Sequence, residues 1–454
     1  MKKGMVLVFL VMLVCSFLVT QEVEGIKIGK TTWKFNGEIR FIYTDQTDPA
    51  AYPQNDDYVD LGSINRMYQR YRLGITAALS QNLLAHYKLQ VGDEEWGNSN
   101  YNEREVNIRT LYAYLQYKPE FISGMTFTAG LQPYDDIFQY SVWSDEGVGI
   151  IASYDSDSLH TNIGFLTLRD EDVDADSDGS NGLIPASTTF GIFDMKYQMM
   201  DSLSVKTAFY YEDHAMREEM GWGYVDFKMV YYGIGADYKL TDSVTVGGHY
   251  VVNNGTTNRS TSTWDIDGYF AYGYASYEKE KFSAKINYGY TPYDRVNPDE
   301  PGESYKISSW RGAFALLDRN SSTIAFAEGN QWMSGYGLEY FGRGDVCDRM
   351  ALANYYGFWP GLMVMSVNVA YDFLYANFGI MKHTYTERSM PSWEEYDKSI
   401  GTELDIGLKT NIMDNLEFKA VYAMFFAGDF WKHGDDNTKV ENAHEMSMQL
   451  RYAF

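Results

Sequence analysis

Apolar and polar residues alternate along most of the chain with a period of two. WKFNGEIRFIY (33–43) sets Trp33, Phe35, Ile39, Phe41 and Tyr43 against Lys34, Asn36, Glu38 and Arg40. NRMYQRYRLGITAAL (65–79) sets Arg66, Arg70 and Arg72 against Met67, Tyr71, Leu73, Ile75 and Leu79. KFSAKINYGY (281–290) and LEFKAVYAMF (416–425) behave alike. Period two sends successive side chains to opposite faces of a strand, and helical periodicity is nearly absent. The chain is expected to be all-β.

The connections between these strands alternate in length. Short ones fall at 80–82, 119–124, 155–158, 199–202, 241–243, 278–281 and 413–415, with one more near Phe373. Between them lie longer ones at 44–63, 93–102, 133–147, 170–187, 213–226, 254–263, 292–361, 385–400 and 429–441. This rhythm predicts about 18 strands, within a range of roughly 16–20, with short turns on one rim and long loops on the other. It is the pattern of a transmembrane antiparallel up-and-down β-barrel with short periplasmic turns and long extracellular loops. The segment 292–361 is too long for a simple loop. It is expected to fold inward as a constriction or plug, with a short helix at 310–320 carrying Arg311 and Arg319, and room for a hairpin near Gly335–Phe341.

A soluble β-sandwich alternates too, so the choice of a membrane rests on three further features. Aromatic residues gather near strand ends, as at Trp33 and Tyr43, Tyr112 and Tyr114, Tyr288 and Tyr290; that is where interfacial girdles lie. The opposite face carries full charges in mid-strand. A single sheet of this size needs closure to be rid of its edges. Composition agrees: 39 Tyr and 25 Phe stand beside only 10 Pro and 2 Cys in 454 residues.

Residues 1–25 read as a signal peptide, with Lys2 and Lys3 before the apolar run Met5–Val19, and 26–454 as one barrel. An exported chain would then keep only Cys347, which cannot form an internal disulfide. The last ten residues, EMSMQLRYAF, stop on Phe454 in mid-alternation. In a closed barrel the last strand pairs with the first, and such an ending needs no polar tail. It resembles the terminal signal of bacterial outer-membrane proteins, which implies the barrel assembly machinery as a partner.

A closer resemblance lies in GTELDIGLKTNIMDNLEFKAVYAMFFAGDF (401–430). Gly-Thr-Glu-x-Asp, a strand, Asp-Asn-Leu at the turn, a second strand and then Gly-Asp-aromatic is similar to the penultimate hairpin of alginate-export-type porins and related delta-proteobacterial barrels. A looser match runs through the first five strands, and the pattern departs at 292–361. The resemblance implies a bacterial outer-membrane channel of 18 strands. It also brings two other roles into view: a polysaccharide-export channel, and a scaffold that sheaths or anchors a periplasmic or extracellular partner such as a multihaem cytochrome. The chain has no CxxCH, so it cannot itself carry haem c.

Net charge is −25, unevenly placed. Acid crowds into the long connections. The polar strand faces lean basic through Lys34, Arg40, Arg66, Arg70, Arg72, Lys88, Arg109, Lys206, Lys285, Lys409 and Arg451, with Glu105, Glu403 and Asp405 among the acids there. Turning Arg66, Arg70 and Arg72 to lipid would cost about 2–4 kcal/mol each near the midplane, so these faces are expected to line a wet lumen. Two readings of the basic face stand: a cationic track that favours anions, or charges that pair with lumen carboxylates. In the acidic run DEDVDADSD, Asp174, Asp176 and Asp178 match the first half of a calcium loop, but Pro185 stands where the closing Glu belongs. The alternatives are a loop-bound Ca²⁺ and a solvated acidic loop; no other cofactor is expected.

The remaining signals point away from catalysis. Seven His show no metal spacing and no nucleophile elbow is present. Acidic exposed regions argue against nucleic acid. The expectation is a porin-like channel passing small hydrophilic solutes, anionic ones on the first reading of the basic face, through the outer membrane, in contact with its lipid and lipopolysaccharide; the scaffold, a rim hydrolase and an adhesin are the rivals.

Overall fold

In a computed structural model of the protein the alternating segments form a single sheet that closes on itself. The structure describes residues 25–47, 63–96, 108–138, 144–169, 187–216, 225–259, 262–292, 362–384, 398–429 and 442–454, with short pieces at 53–54, 57–58, 142 and 306–307. Eighteen long strands make the barrel. They are β1 (Thr31–Thr47), β2 (Ser63–Ala78), β3 (Leu83–Trp96), β4 (Ile108–Tyr117), β5 (Met125–Asp135) and β6 (Ser144–Asp155). Then come β7 (Leu159–Arg169), β8 (Ser187–Met200), β9 (Leu203–Met216), β10 (Val225–Thr241), β11 (Val244–Arg259) and β12 (Ser262–Lys279). The last six are β13 (Phe282–Thr291), β14 (Leu362–Tyr371), β15 (Leu374–Lys382), β16 (Ser399–Met413), β17 (Leu416–Ala427) and β18 (Ala443–Ala453).

Each strand pairs antiparallel with its sequence neighbours, and β18 pairs with β1 from Glu38↔Ala453 to Thr47↔His444. The ring is thereby complete. Phe454 finishes it: its N–H donates to the Gly37 carbonyl at 3.0 Å and its carbonyl accepts from Gly37 N–H at 2.8 Å. A Cβ on Gly37 would collide with the Phe454 ring and the Arg72 carbonyl, so only glycine leaves the terminal aromatic its place. A short arm, Ile26–Ile28, turns back and pairs with Thr31–Trp33.

Exposure alternates with the same period as the sequence. Ile163 and Phe165 on β7 are exposed while Asn162 and Leu166 are buried; Ile234 on β10 is 60% exposed and Tyr231 is fully covered. The exposed set is apolar all round the ring, from Leu73 and Leu115 through Phe193, Phe209, Ile286 and Phe378 to Ile406 and Tyr422. A continuous band of exposed Leu, Ile, Phe and Tyr has no place in water; it is the lipid-facing belt of a membrane-spanning barrel.

The structure corrects two sequence expectations. The polar stretch 254–263 is not a long loop: β11 runs to Arg259 and β12 restarts at Ser262. Its Asn and Thr residues pair across strands, with Tyr232 OH donating to Asn254 Oδ1 at 2.9 Å and Asn254 Nδ2 to Asp267 Oδ1 at 3.0 Å. Such pairs stabilise a ladder that stands clear of the lipid. Nor is the inner face polar throughout. From β6 to β12 it is aromatic and aliphatic, through Ile151, Leu166, Phe190, Ile192, Tyr210, Tyr231, Val251, Ile266 and Phe270. The helix at 310–320 and the hairpin near 335–341 lie outside the described residues, as do residues 1–24.

Candidate functional site

Inward positions fall into three sectors, and the basic one straddles the closure seam. Register sets Arg40 on β1 directly between Arg451 on β18 and Arg70 on β2. Three guanidinium-bearing positions thus stand side by side on adjacent strands. At neighbouring-strand spacing, like charges cost about 1–3 kcal/mol per pair, depending on local screening. Glu38, one inward step along β1, offsets part of this. Its Oε1 accepts from Arg70 Nε at 3.2 Å and Nη2 at 2.6 Å, and its Oε2 from Arg451 Nε at 2.8 Å. The basic face continues onto β3. Arg72 Nε donates to Gln90 Oε1 at 2.7 Å, and Lys88 Nζ lies 5.1 Å from the centre of the Tyr112 ring. These contacts orient Arg72 and Lys88 on the wall.

The second sector is a ladder of neutral amides across β12 to β16. Tyr272 OH donates to Asn287 Oδ1 at 2.7 Å, and Asn287 Nδ2 to Ser366 Oγ at 3.2 Å and Asn368 Oδ1 at 2.8 Å. Asn368 Nδ2 then donates to Asn377 Oδ1 at 3.1 Å, and Asn377 Nδ2 reaches Asp405 Oδ2 at 3.5 Å. Each amide accepts from one strand and donates to the next, so the chain of bonds can cross the sheet with every link satisfied. Asp405 and Glu403 end the ladder on β16, both buried.

The third sector is a plug of the chain's own making. Residues 136–138 leave the end of β5 and turn inward, and Val142 joins them. Asp136 holds this shape: the carboxylate accepts from Phe138 N–H at 2.6 Å and Val142 N–H at 2.7 Å. Phe138 and Val142 are wholly covered. Phe138 rests over Gly233 on β10 and beside His249 on β11, ring centres 5.4 Å apart. Those strands are five and six places round the ring from β5, so Phe138 reaches them across the inside of the barrel. Gly233 gives the ring its seat; a Cβ there would lie 2.9 Å from Phe138 Cζ. At the foot of the loop Tyr134 OH donates to Asp194 Oδ2, and Asn162 Nδ2 donates to Asp194 Oδ1 at 3.0 Å.

The predicted site residues distribute over this frame as follows. Arg40, Arg70, Arg72, Lys88 and Arg451 come together in the basic sector. Arg66 lies on the same strand, at Thr44↔Arg66, with its side chain outside the described residues. Lys34 and Arg109 are exposed, Arg109 opposite Gln90. Lys206 stands apart, paired with Asp237 Oδ2 at 2.6 Å under the apolar wall. Lys285 lies 4.9 Å from the Tyr274 ring centre. Lys409 is exposed near the 414–415 turn and pairs with Glu417 at 3.3 Å. Glu105, Arg311, Arg319, Asp174, Asp176 and Asp178 fall outside the described residues, and no cluster of three metal-ligating side chains occurs among the described ones.

The ring of 18 strands with an apolar outside matches solved barrels over nearly its whole length. OccK8 (OprE) of Pseudomonas aeruginosa superposes with a TM-score of 0.52 at 13% identity, covering 93% of this chain and 98% of that one. OccK9 (OpdG) of the same organism gives 0.53 at 11%, with coverage of 93% and 98%. OccAB2 of Acinetobacter baumannii gives 0.53 at 10%, again 93% and 98%. The fold is that of the OprD/Occ outer-membrane porins. No protein-family model matches the sequence, and no curated protein does. Fold and belt together make this chain an outer-membrane β-barrel in contact with lipid.

The inward-folded loop and its seat were not legible as site features in the sequence. A signal was there: Ile137, Phe138 and Val142 are poor residues for a loop in water, and 136–143 is short for a long-rim loop.

Proposed function

We propose that the protein is a passive channel for small hydrophilic solutes, with a preference for anions set by the basic sector at the seam. The observation that carries it is the row Arg70–Arg40–Arg451, three cations side by side on adjacent inward positions. Three cations against one bridging carboxylate leave the wall positive, which lowers the free energy of anions in the bore relative to cations. Phe138 supports a constricted bore, because it follows β5 and reaches across to β10 and β11. The segment 292–361 belongs to the same reading as a second constriction, and deleting 305–340 is expected to raise conductance.

Recordings in planar bilayers under a KCl gradient test this. Discrete conductance steps with a reversal potential of anion-selective sign are expected. Absence of steps would remove the channel, and cation-selective sign would remove the anion preference alone. A sheath for a multihaem cytochrome needs a bore clear of Phe138, which reaches across it to Gly233 and His249, so the channel is favoured. Export of a polyuronate, which the likeness of 401–430 to alginate-export-type porins suggests, would use the same arginines; concentration-dependent block of the current by oligouronates distinguishes it from general anion passage.

A further inference from the structure

Glu38 bridges two of the seam arginines, Arg70 and Arg451. Its position is unusual for a counter-charge. It does not sit beside the basic row as a bystander; it occupies the donors. One oxygen takes both Nε and Nη2 of Arg70, and the other takes Nε of Arg451. Arg70 and Glu38 side chains are nearly covered, at 10% and 12% exposure, whereas Arg451 keeps 43%. A solute carboxylate or phosphate that entered the row would seek the same N–H groups, since these are the donors that match two-oxygen acceptors.

We infer that Glu38 is a built-in competitor for the solute: it fills the anion seat of Arg70 and Arg451 between passages, and so sets how tightly and how long an anion is held. This rests on the basic sector serving anions, as proposed above. The logic is that of conduction in general, where a site must attract an ion and still let it go. Three arginines without a carboxylate would bind an anion and retain it. With Glu38 present, an arriving anion displaces one carboxylate contact as it forms another, and Glu38 re-forms its bonds as the anion leaves. Because Glu38 is tethered on β1 between its two partners, its effective concentration at the seat is high and constant.

The test compares Glu38→Gln, Glu38→Asp and a charge control, Asp372→Asn, in bilayers. Asp372 lies on the exposed 372–373 turn, where it pairs with Lys281 at 2.8 Å, and removing it changes net charge equally. The probes are KCl gradients for selectivity and inorganic phosphate for residence. In Glu38→Gln the chloride-to-potassium permeability ratio is expected to rise. Phosphate-induced blocks should lengthen about tenfold, the effect of one charge-assisted contact no longer contested. Glu38→Asp should fall between, and Asp372→Asn should resemble wild type. If Glu38→Gln and Asp372→Asn shift selectivity equally and leave phosphate blocks unchanged, the competitor is overturned and Glu38 counts only as net charge. If Glu38→Gln merely lowers the heat at which the barrel unfolds in detergent, with both readouts as wild type, Glu38 is a seam clamp and the inference fails. Failure of the underlying reading shows separately, as cation selectivity in the wild-type protein itself.

Discussion

Removing the Phe138 ring should loosen the loop that crosses the bore. Phe138 is wholly covered, its ring lying over Gly233 and beside His249. Truncating such a residue to alanine costs about 3–5 kcal/mol, because the burial is lost and the seat cannot close over the space. At 1.4 kcal/mol per factor of ten, the docked-to-undocked ratio of the loop falls by roughly two to three and a half orders of magnitude. Val142 and the two Asp136 hydrogen bonds remain, so the loop keeps its local shape and some hold on the wall. The expected result for Phe138→Ala is therefore not a permanently wide pore but a noisy one. Single-channel current should flicker to a higher conductance level that wild type rarely visits. Gly233→Val attacks the same contact from the wall side, since its Cβ would come within 2.9 Å of Phe138 Cζ. The double variant should be less harmful than the sum of the two, the sign of a shared contact. Current from Phe138→Ala with wild-type conductance and wild-type noise, in a barrel that still resists heat, would refute the loop as the element that narrows the bore.

Three other outcomes are expected. Gly37→Ala should displace the Phe454 ring and weaken closure by about 1–3 kcal/mol, seen as a lower temperature for loss of the folded band in heat-modifiability gels. Arg70→Gln should move the reversal potential in a KCl gradient toward cations, and a larger shift is expected with Arg451→Gln added, since both serve one row. Lys206→Met should destabilise by about 1–3 kcal/mol, because the partly covered Asp237 loses its cation but keeps the Tyr274 hydroxyl at 2.8 Å, and the Lys206→Met/Asp237→Asn pair should recover part of the loss in thermal unfolding.

The ring was legible because lipid enforces period two on one face of every strand and because hairpin connections alternate in length. β1 and β2 could be oriented as well: Arg66, Arg70 and Arg72 admit only one direction in a membrane. The reading faltered where both faces are apolar. In Phe190–Tyr197, Phe190 and Ile192 point inward and Phe193 outward, yet all would serve in a belt, so nothing in the alternation marks the inner ones as a seat for a loop. It faltered again at 254–263, where Asn, Gly and Thr suggest a loop and cross-strand pairing keeps a sheet. Glu38 was visible as an acid between Lys34 and Arg40 on one polar face, but its partners lie 32 and 413 residues away in sequence, and only closure brings Arg451 to it.

The arm Ile26–Ile28 has a consequence for solubility during assembly. β18 stops pairing with β1 at Glu38, yet β1 begins at Thr31, so its lower stretch would present bare backbone donors and acceptors on the side where the last strand has ended. The arm occupies that stretch at Thr31–Trp33. A polypeptide shorn of it would offer a sticky margin to any extended peptide nearby, another copy included, and would be prone to string together edge to edge.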